Sequence, residues 1–359
     1  MVSIQATVSK GWLHKNGGFS FDEEYYMDPF CSQNQDKIMH EFIKKRFPDY
    51  QIYYMEANLV QAPYVDKNQI LVGAIQPNLI LAVILGSKIV YYPDKDPDVE
   101  TVTLRNISTP QDLPDIEDIM NHPLIKTLDH QLKTIKNDYT DLVVIPPFFW
   151  DTSGRATIHG IITTSLKLIG EKVMMLTILD PNLLHQIHQW ITDIYIALIR
   201  HFSQISNLPV NSVHAGECSG IMISNDQYLE FITPYISQLG KELGDVRLHS
   251  CGKSDHLLDA ISKIEKLTII DVGSDTSVKM IRSMLGRQFE INLSPPVELL
   301  LKGSSKEKLH EWLDKSLEEN QGGPIRFAYH IEADYDYENC LSIHDKLVEK
   351  KLITKGRLY

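Results

Sequence analysis

The chain has 359 residues, 43% hydrophobic and 23% charged, the balance of an ordinary globular protein. Its formal net charge is −12, which disfavours binding to nucleic acid or to an anionic membrane surface because both carry negative charge. The first 21 residues lack a signal-peptide pattern, no apolar run is long enough to span a bilayer, and four scattered cysteines are too few for a disulfide framework. We therefore expect a cytoplasmic protein with reduced thiols.

The predicted elements alternate between strand and helix over most of the chain. Residues 1–50 are expected to form an N-terminal extension with one helix at 35–46, where apolar residues recur at helical spacing. Eight short β-rich runs are predicted strands: 51–58, 88–92, 141–149, 210–217, 245–251, 267–272, 288–293 and 325–331. Amphipathic helices are predicted between most of them, at 181–203, 226–243, 254–264, 276–285 and 306–319.

A strand followed by a helix, repeated, indicates parallel strand pairing. Eight such units over this length predict an α/β fold, a single (β/α)₈ TIM barrel over residues 51–359 that follows the extension. An acidic, proline-bearing insertion at 93–124 blurs the first units. A doubly wound sheet is the alternative. The early strands are not followed by a Gly-rich dinucleotide loop, which weakens that alternative without excluding it.

A short motif at the end of one predicted strand carries the chemistry. A strand period of two places Arg247, His249 and Cys251 on one face, directly before Gly252. Active sites of barrels lie at this end of the strands, and a nitrogen with a sulfur ligand suits zinc. The alternative is a buried cysteine that packs beside a hydrogen-bonded histidine.

Two other strand ends supply further candidate ligands. Glu217, followed by Cys218, ends the run at 210–217, and His330 lies near the end of the run at 325–331. Because strand ends converge in a closed barrel, we predict that Glu217, His249, Cys251 and His330 surround one metal ion. Taken singly, Glu217 is equally consistent with a helix cap, Cys218 with packing behind the sheet, and His330 with a bond to a loop carbonyl.

The sequence around this motif resembles a known family. Residues 248–258 (LHSCGKSDHLL) are similar to the His-x-Cys-Gly segment of the uroporphyrinogen decarboxylase-like superfamily, in its zinc-dependent branch of corrinoid-linked methyltransferases such as methylcobamide:coenzyme M methyltransferases. Segments 82–93, 223–235 and 292–303 resemble further motifs of the superfamily, and the resemblance is firm over about 141–350.

The resemblance implies a (β/α)₈ barrel, a zinc ion and a corrinoid (cobalamin) carried by a partner protein. It implies a methyl group moved between that corrinoid and a small substrate, either a thiol acceptor or a methylated or methoxylated donor. The Arg-Gln-Ala-Gly-Arg segment of the decarboxylases is absent from residues 1–60, which disfavours porphyrin decarboxylation. The family's third ligand, a cysteine ending the last strand, is replaced by Tyr329 or His330, so we favour His330 with Cys340 as the alternative.

Substrate contacts are predicted from Phe149, Trp150, Asn292 and Tyr329, although aromatic residues at such positions also serve as packing. The leading hypothesis is a zinc-dependent methyltransferase that works with a corrinoid protein and has no nucleic-acid or membrane partner. Two alternatives remain open. One is a metal-free decarboxylase of the uroporphyrinogen decarboxylase type, and the other is a non-catalytic barrel that binds a corrinoid or a partner protein.

Overall fold

Twelve strands are found in residues 1–54, 68–100 and 102–354, the parts of the chain that the computed structural model describes. They are β1 (Val2–Val8), β2 (Ile52–Tyr54), β3 (Gln69–Leu71), β4 (Ile89–Val90), β5 (Asp98–Val99), β6 (Val143–Ile145), β7 (Arg155–His159), β8 (Ser212–Gly216), β9 (Asp245–Ser250), β10 (Leu267–Val272), β11 (Glu290–Leu293) and β12 (Ile325–Ile331). Eight of them form one curled sheet in the order β2-β1-β12-β11-β10-β9-β8-β7. Every pair in this sheet is parallel. β3 and β6 form a separate parallel pair, and β4 and β5 an antiparallel one.

Helices connect the strands of the large sheet. The α-helices of the described residues are α1 (Lys10–Gly17), α2 (Glu23–Met27), α3 (Pro29–Arg46), α4 (Pro77–Ile84), α5 (Ile116–Met120), α6 (Pro123–Asp138), α7 (Ile161–Ile169), α8 (Lys172–Leu179), α9 (Pro181–Ser206), α10 (Asn225–Phe231), α11 (Thr233–Leu243), α12 (Leu258–Ser262), α13 (Val278–Leu285), α14 (Lys306–Glu319) and α15 (Tyr337–Glu349). Short 3₁₀ helices lie at Pro110–Asp112, Cys218–Met222, Asp255–Leu257 and Val297–Leu299. None of these helices is both long and apolar enough to cross a bilayer.

Alternate residues of each strand face opposite sides of the sheet, and the two sides differ in chemistry. In β9, Val246 and Leu248 are buried in the hydrophobic core, whereas Arg247 and His249 line a cavity inside the curl. β12 alternates in the same way. The helices therefore pack on an apolar outer surface, and the inner surface carries polar and charged side chains.

The longest helix shows how local sequence fixes the outer layer. α9 begins where the Asp180 side chain accepts a hydrogen bond from the Leu183 backbone, with Pro181 in the first turn, and ends at Asn207 in the left-handed conformation. Its buried face packs against α6, α7, α8 and α11. Each fully buried leucine or isoleucine on that face contributes about 1.5–3 kcal/mol relative to an exposed one.

The sheet differs from the predicted one in its first strands. Residues 1–50 were expected to lie outside the barrel, yet β1 lies inside the sheet between β2 and β12. The predicted strands at 88–92 and 141–149 form β4 and β6, which pair outside the large sheet, and β7 takes a place that the sequence analysis did not assign. Of the predicted strand 51–58, residues 55–58 lie outside the described residues.

The later elements follow the predictions closely. The strands at 210–217, 245–251, 267–272, 288–293 and 325–331 are found as β8 to β12, and helix 306–319 is α14. The helix predicted at 226–243 is divided into α10 and α11 at Ile232, because Pro234 in the first turn of α11 cannot donate a backbone hydrogen bond. The edge strands of the curled sheet are β2 and β7.

Candidate metal centre

Three metal-ligating side chains meet at the carboxyl ends of β8 and β9. His249 lies in β9, Cys251 directly follows it, and Cys218 follows β8. The Cys218 and Cys251 Sγ atoms are 2.9 Å apart, and His249 Nε2 lies 2.9 Å from Cys251 Sγ. In the described residues, these ligand atoms form a group in which all lie within 4.8 Å of one another. One nitrogen and two sulfurs are donors that zinc prefers, at bond lengths of ~2.0–2.3 Å.

The backbone register brings the two strand ends together. Gly216 is paired with His249, and the Glu217 N–H donates to the His249 carbonyl oxygen at 2.8 Å. Directly after Cys251, the chain turns at Gly252, whose φ of 67° lies in the left-handed region that favours glycine. Both cysteines are thus held at the mouth of the curl, and all three ligand side chains are partly exposed.

Hydrogen bonds within the group perturb its protonation. The hydrogen bond with Cys251, and then burial, raises the pKa of Cys218 to about 12, whereas the same hydrogen bond lowers the pKa of Cys251. Burial acts to lower the pKa of His249, but a hydrogen bond with Cys218 and the charge of Asp271 outweigh it and raise that pKa. A thiolate at Cys251 is thereby favoured, and thiolate is the form in which cysteine binds metals.

The predicted ligand Glu217 lies outside this group and instead anchors a helix. Its carboxylate accepts hydrogen bonds from the backbone N–H groups of Ile161 and, at 3.4 Å, Thr163 in the first turn of α7. Gly160 leaves the space that the carboxylate fills, since a Cβ atom there would clash with it. Burial raises the pKa of Glu217 to about 7 against the lowering effect of these N–H groups. The helix N-terminus favours the charged form of this carboxyl.

His330 and Cys340, the two predicted candidates for the remaining ligand, also lie outside the group. His330 faces the cavity from β12, where its Nδ1 lies 2.7 Å from Thr7 Oγ1 on β1. Cys340 is buried within α15, and burial raises the pKa of its thiol to about 12. The second thiol of the group is therefore Cys218.

A cavity of about 310 Å³ opens beside Cys218 and His249. Two of the predicted substrate-binding residues, Trp150 and Asn292, line it. A cavity of this volume is at the small end of the range for small-molecule sites.

The other two predicted substrate-binding residues point elsewhere. Phe149 is buried in the hydrophobic core, and its backbone pairs with Ala156. Tyr329 lies on the outer side of β12, where its hydroxyl donates to the Cys340 carbonyl oxygen at 2.6 Å. Neither side chain borders the cavity.

A charged network forms one wall of the cavity. Arg247 donates to Asp271 Oδ2 through both Nε and a terminal nitrogen, each at 2.7 Å. The Asn292 amide donates to the other oxygen of Asp271, and His214 Nε2 lies 3.4 Å from Oδ2. At the mouth, Lys10 is ion-paired with Asp96 at 2.7 Å, so these cavity charges occur as opposite pairs.

The alternation of side chains along a strand is the sequence signal that identifies Cys218 as a candidate ligand. His214, Gly216 and Cys218 have the same parity along β8 and its extension, and all three line the cavity, whereas Glu217 has the opposite parity. The same rule separates His330, which lines the cavity, from Tyr329, which does not. The predicted ligand set therefore included Glu217, whose position along β8 and its extension does not face the cavity.

The parallel α/β sheet with a polar inner surface and a cavity at its carboxyl end defines a TIM-barrel-like protein. The family model for uroporphyrinogen decarboxylase (URO-D) matches residues 77–329, and the chain belongs to this family.

One solved structure shows the same fold. A methyltransferase from Methanosarcina mazei is similar with a TM-score of 0.63 and 15% identity, covering 98% of this chain and 94% of that one. A B12-independent methionine synthase from Shewanella sp. W3-18-1 in complex with selenomethionine matches at a TM-score of 0.48 and 10% identity, covering 98% of both chains. Comparison with curated proteins finds no match.

Proposed function

We propose that this protein is a zinc-dependent methyltransferase that moves a methyl group between a small substrate and a corrinoid carried by a partner protein. The observation that carries the proposal is the group of Cys218, His249 and Cys251, which offers three ligand atoms beside a cavity. Three protein ligands leave a fourth position of a tetrahedral ion for a substrate. The name of the solved methyltransferase with the same fold agrees with this proposal.

The donor set fits zinc better than a harder cation, because thiolates and imidazoles are soft or borderline ligands. Cysteines give up their protons when they bind a metal ion, so the ion would replace the hydrogen bond across the 2.9 Å contact between Cys218 and Cys251. When bound, zinc would supply Lewis acidity, which deprotonates a thiol acceptor or polarises the heteroatom of a methylated donor.

The surrounding residues keep the ligands in place. The backbone bond from Glu217 to His249 fixes the two strand ends, and the Glu217 carboxylate holds the first turn of α7 beside them. We propose Trp150 and Asn292 as the residues that orient the substrate, since both line the cavity next to the ligands.

An exposed apolar surface near the site supports a protein partner. Met222 ends the 3₁₀ helix that begins at Cys218, and Met175, Ile178 and Leu179 of α8 are 55–76% exposed. The Gln227 side chain donates to Thr177 of α8 at 2.9 Å, which ties α8 to the segment after Met222. We propose that the corrinoid protein docks here and brings its cofactor to the cavity mouth.

Metal analysis tests the ligand set. The protein purified with excess zinc and then dialysed is expected to hold about one zinc per chain. Cys218→Ser, His249→Ala and Cys251→Ser should lose most of it, whereas Cys31→Ser, a thiol outside the site, should keep it. Glu217→Gln and His330→Gln should also keep the zinc. Loss of zinc in these two variants, with retention in Cys218→Ser, would instead support the ligand set predicted from the sequence.

Activity tests the reaction. Zinc-loaded protein is mixed with methylcobalamin and a panel of small thiols, and demethylation is followed by the cobalamin absorption spectrum. Turnover that disappears in Cys251→Ser but not in Cys31→Ser supports methyl transfer. A folded protein that binds no zinc, or a zinc-loaded protein that leaves every methyl donor and acceptor unchanged, contradicts the proposal.

The docking surface has its own control. Ile178→Glu should weaken binding of a corrinoid protein at unchanged zinc content. Ile38→Glu, which places the same charge at another exposed apolar residue on α3, should not. Equal binding by both variants would remove this surface from the proposal.

A further inference from the structure

The cavity beside the metal centre contains buried polar atoms that have no hydrogen-bond partner among the described residues. The Trp150 indole Nε1 and the Asn292 Oδ1 both line it, and these side chains are 6% and 2% exposed. Thr157 Oγ1 and His159 Nδ1, on neighbouring inward positions of β7, are also without partners. A buried polar atom left without a partner costs about 1–3 kcal/mol, so atoms of this kind in a cavity wall gain a hydrogen bond when a ligand with the complementary group enters.

The hydrogen-bonding chemistry of these atoms determines which ligand groups they can bind. An indole nitrogen only donates a hydrogen bond, and an amide oxygen only accepts one. The Asn292 amide nitrogen already donates to Asp271, which fixes the oxygen as the atom offered to the cavity. Burial lowers the pKa of His159 to about 4, so its imidazole is neutral near pH 7 and offers no positive charge.

The charges that line the cavity in the described residues are balanced. They are Lys10, Asp96, Arg247 and Asp271, and they form two ion pairs with N···O distances of 2.7 Å. An anionic or cationic ligand would have to compete with an existing partner for either charge. A neutral group makes its hydrogen bonds without breaking a pair.

We infer that the small substrate carries an uncharged polar tail, of the carboxamide or hydroxyl class, which accepts a hydrogen bond from Trp150 and donates one to Asn292. This inference rests on the proposed function for the reacting end of the substrate. It adds that the tail lies in the cavity inside the curl, and it excludes substrates whose tail is a carboxylate, a sulfonate or an ammonium group.

The test compares three small thiols that differ only in their tails: 3-mercaptopropionamide, 3-mercaptopropionate and cysteamine. Cobalt(II) replaces zinc, because its absorption changes when a thiolate binds, and this gives dissociation constants without turnover. The amide is expected to bind at least about tenfold more tightly than either charged thiol. Equal or tighter binding of a charged thiol, or no binding of any thiol, overturns the inference.

Two variants identify the residues that recognise the tail. Trp150→Phe keeps the aromatic ring and removes the donor, so it should weaken the amide about 2- to 10-fold and leave the charged thiols unchanged. The matched control is Trp190→Phe, because the Trp190 indole donates to the Pro114 carbonyl at 2.8 Å and does not line the cavity. The same loss in both variants, or none in Trp150→Phe, contradicts the assignment.

The inference and the proposed function fail in different ways. If cobalt and zinc do not bind, the proposed function fails, and the preference for the three tails is then measured on metal-free protein by ligand-observed nuclear magnetic resonance. If metal and thiols bind but the carboxylate is preferred, the proposed function stands and the neutral-tail inference is wrong.

Discussion

The buried pair of Arg247 and Asp271 offers a quantitative test of the polar inner surface. Asp271→Asn keeps the size of the side chain but removes the charge opposite Arg247. Removal of one partner of a buried ion pair costs about 3–5 kcal/mol, because the other charge stays buried and unpaired. Both side chains border the cavity and keep 8–9% of their surface exposed, so we expect the lower end, about 3 kcal/mol.

A double-mutant cycle separates the pair from its surroundings. Arg247→Met alone should also destabilise the protein. The double variant should cost about 2 kcal/mol less than the sum of the single variants, since the second change removes the unpaired charge. The control is the pair of Arg200 and Glu242, which is as short at 2.6 Å but 53% and 43% exposed. Glu242→Gln should cost less than about 1 kcal/mol.

Urea unfolding gives these free energies. The transition is followed by far-ultraviolet circular dichroism and by tryptophan fluorescence, and the two must coincide for a two-state free energy of unfolding to be defined. If Asp271→Asn costs no more than Glu242→Gln, or if the double variant costs the full sum of the two single variants, Arg247 and Asp271 do not act as a buried ion pair.

Three further predictions concern stability. His188 is fully buried and its pKa is lowered to about 4, so protons bind more readily to the unfolded chain, and stability falls as the pH drops from about 6.5 to 4. The cost of keeping this histidine neutral reaches about 3 kcal/mol, so His188→Gln should lose about that much less stability over this range. The control His130→Gln, at an exposed histidine, should behave like the parent protein. Identical pH profiles of the two variants and the parent would contradict the prediction. Gly160→Ala should destabilise by more than about 2 kcal/mol, because its Cβ would clash with the Glu217 carboxylate, whereas Gly11→Ala in α1 meets only ordinary contacts and should change unfolding by less than about 1 kcal/mol. Tyr329→Phe should cost about 1 kcal/mol, because it removes the buried hydrogen bond that the Tyr329 hydroxyl donates to the Cys340 carbonyl oxygen. Zinc content should not change, and a loss of zinc would indicate that Tyr329 contributes to the metal site.

The sequence predicted the second half of the sheet well and its beginning poorly. Strands β8 to β12 are apolar at alternate positions, and helical patterns between them are clear, so periodicity alone identifies them. β1 also alternates, as Val2-Ser-Ile-Gln-Ala-Thr-Val8, but it reads as a mixed polar stretch because the inner surface of this sheet is polar. A strand whose inward residues are Gln5 and Thr7 does not look like a typical buried parallel strand.

The candidate site was predictable in part. His249 and Cys251 follow from one strand and its period, and the structure brings them together. Parity along β8 favours Cys218 over Glu217, and the sequence contains that information. The hydrogen-bond partners of the Glu217 carboxylate were not predictable from the sequence. They are N–H groups of α7, and only the pairing of β7 with β8 brings that helix close to Glu217.

The pairing of β1 with β12 sets an order of events during synthesis. Val2 is aligned with Ile325, and Thr7 contacts His330 across 323 positions of sequence. Because β1 is synthesised long before β12, the edge of β1 that pairs with β12 stays open while the residues between them are made. Open strand edges attract other chains, and contacts this distant slow folding. A chaperone that covers this edge of β1 until β12 emerges would therefore protect the folding chain from association with other chains.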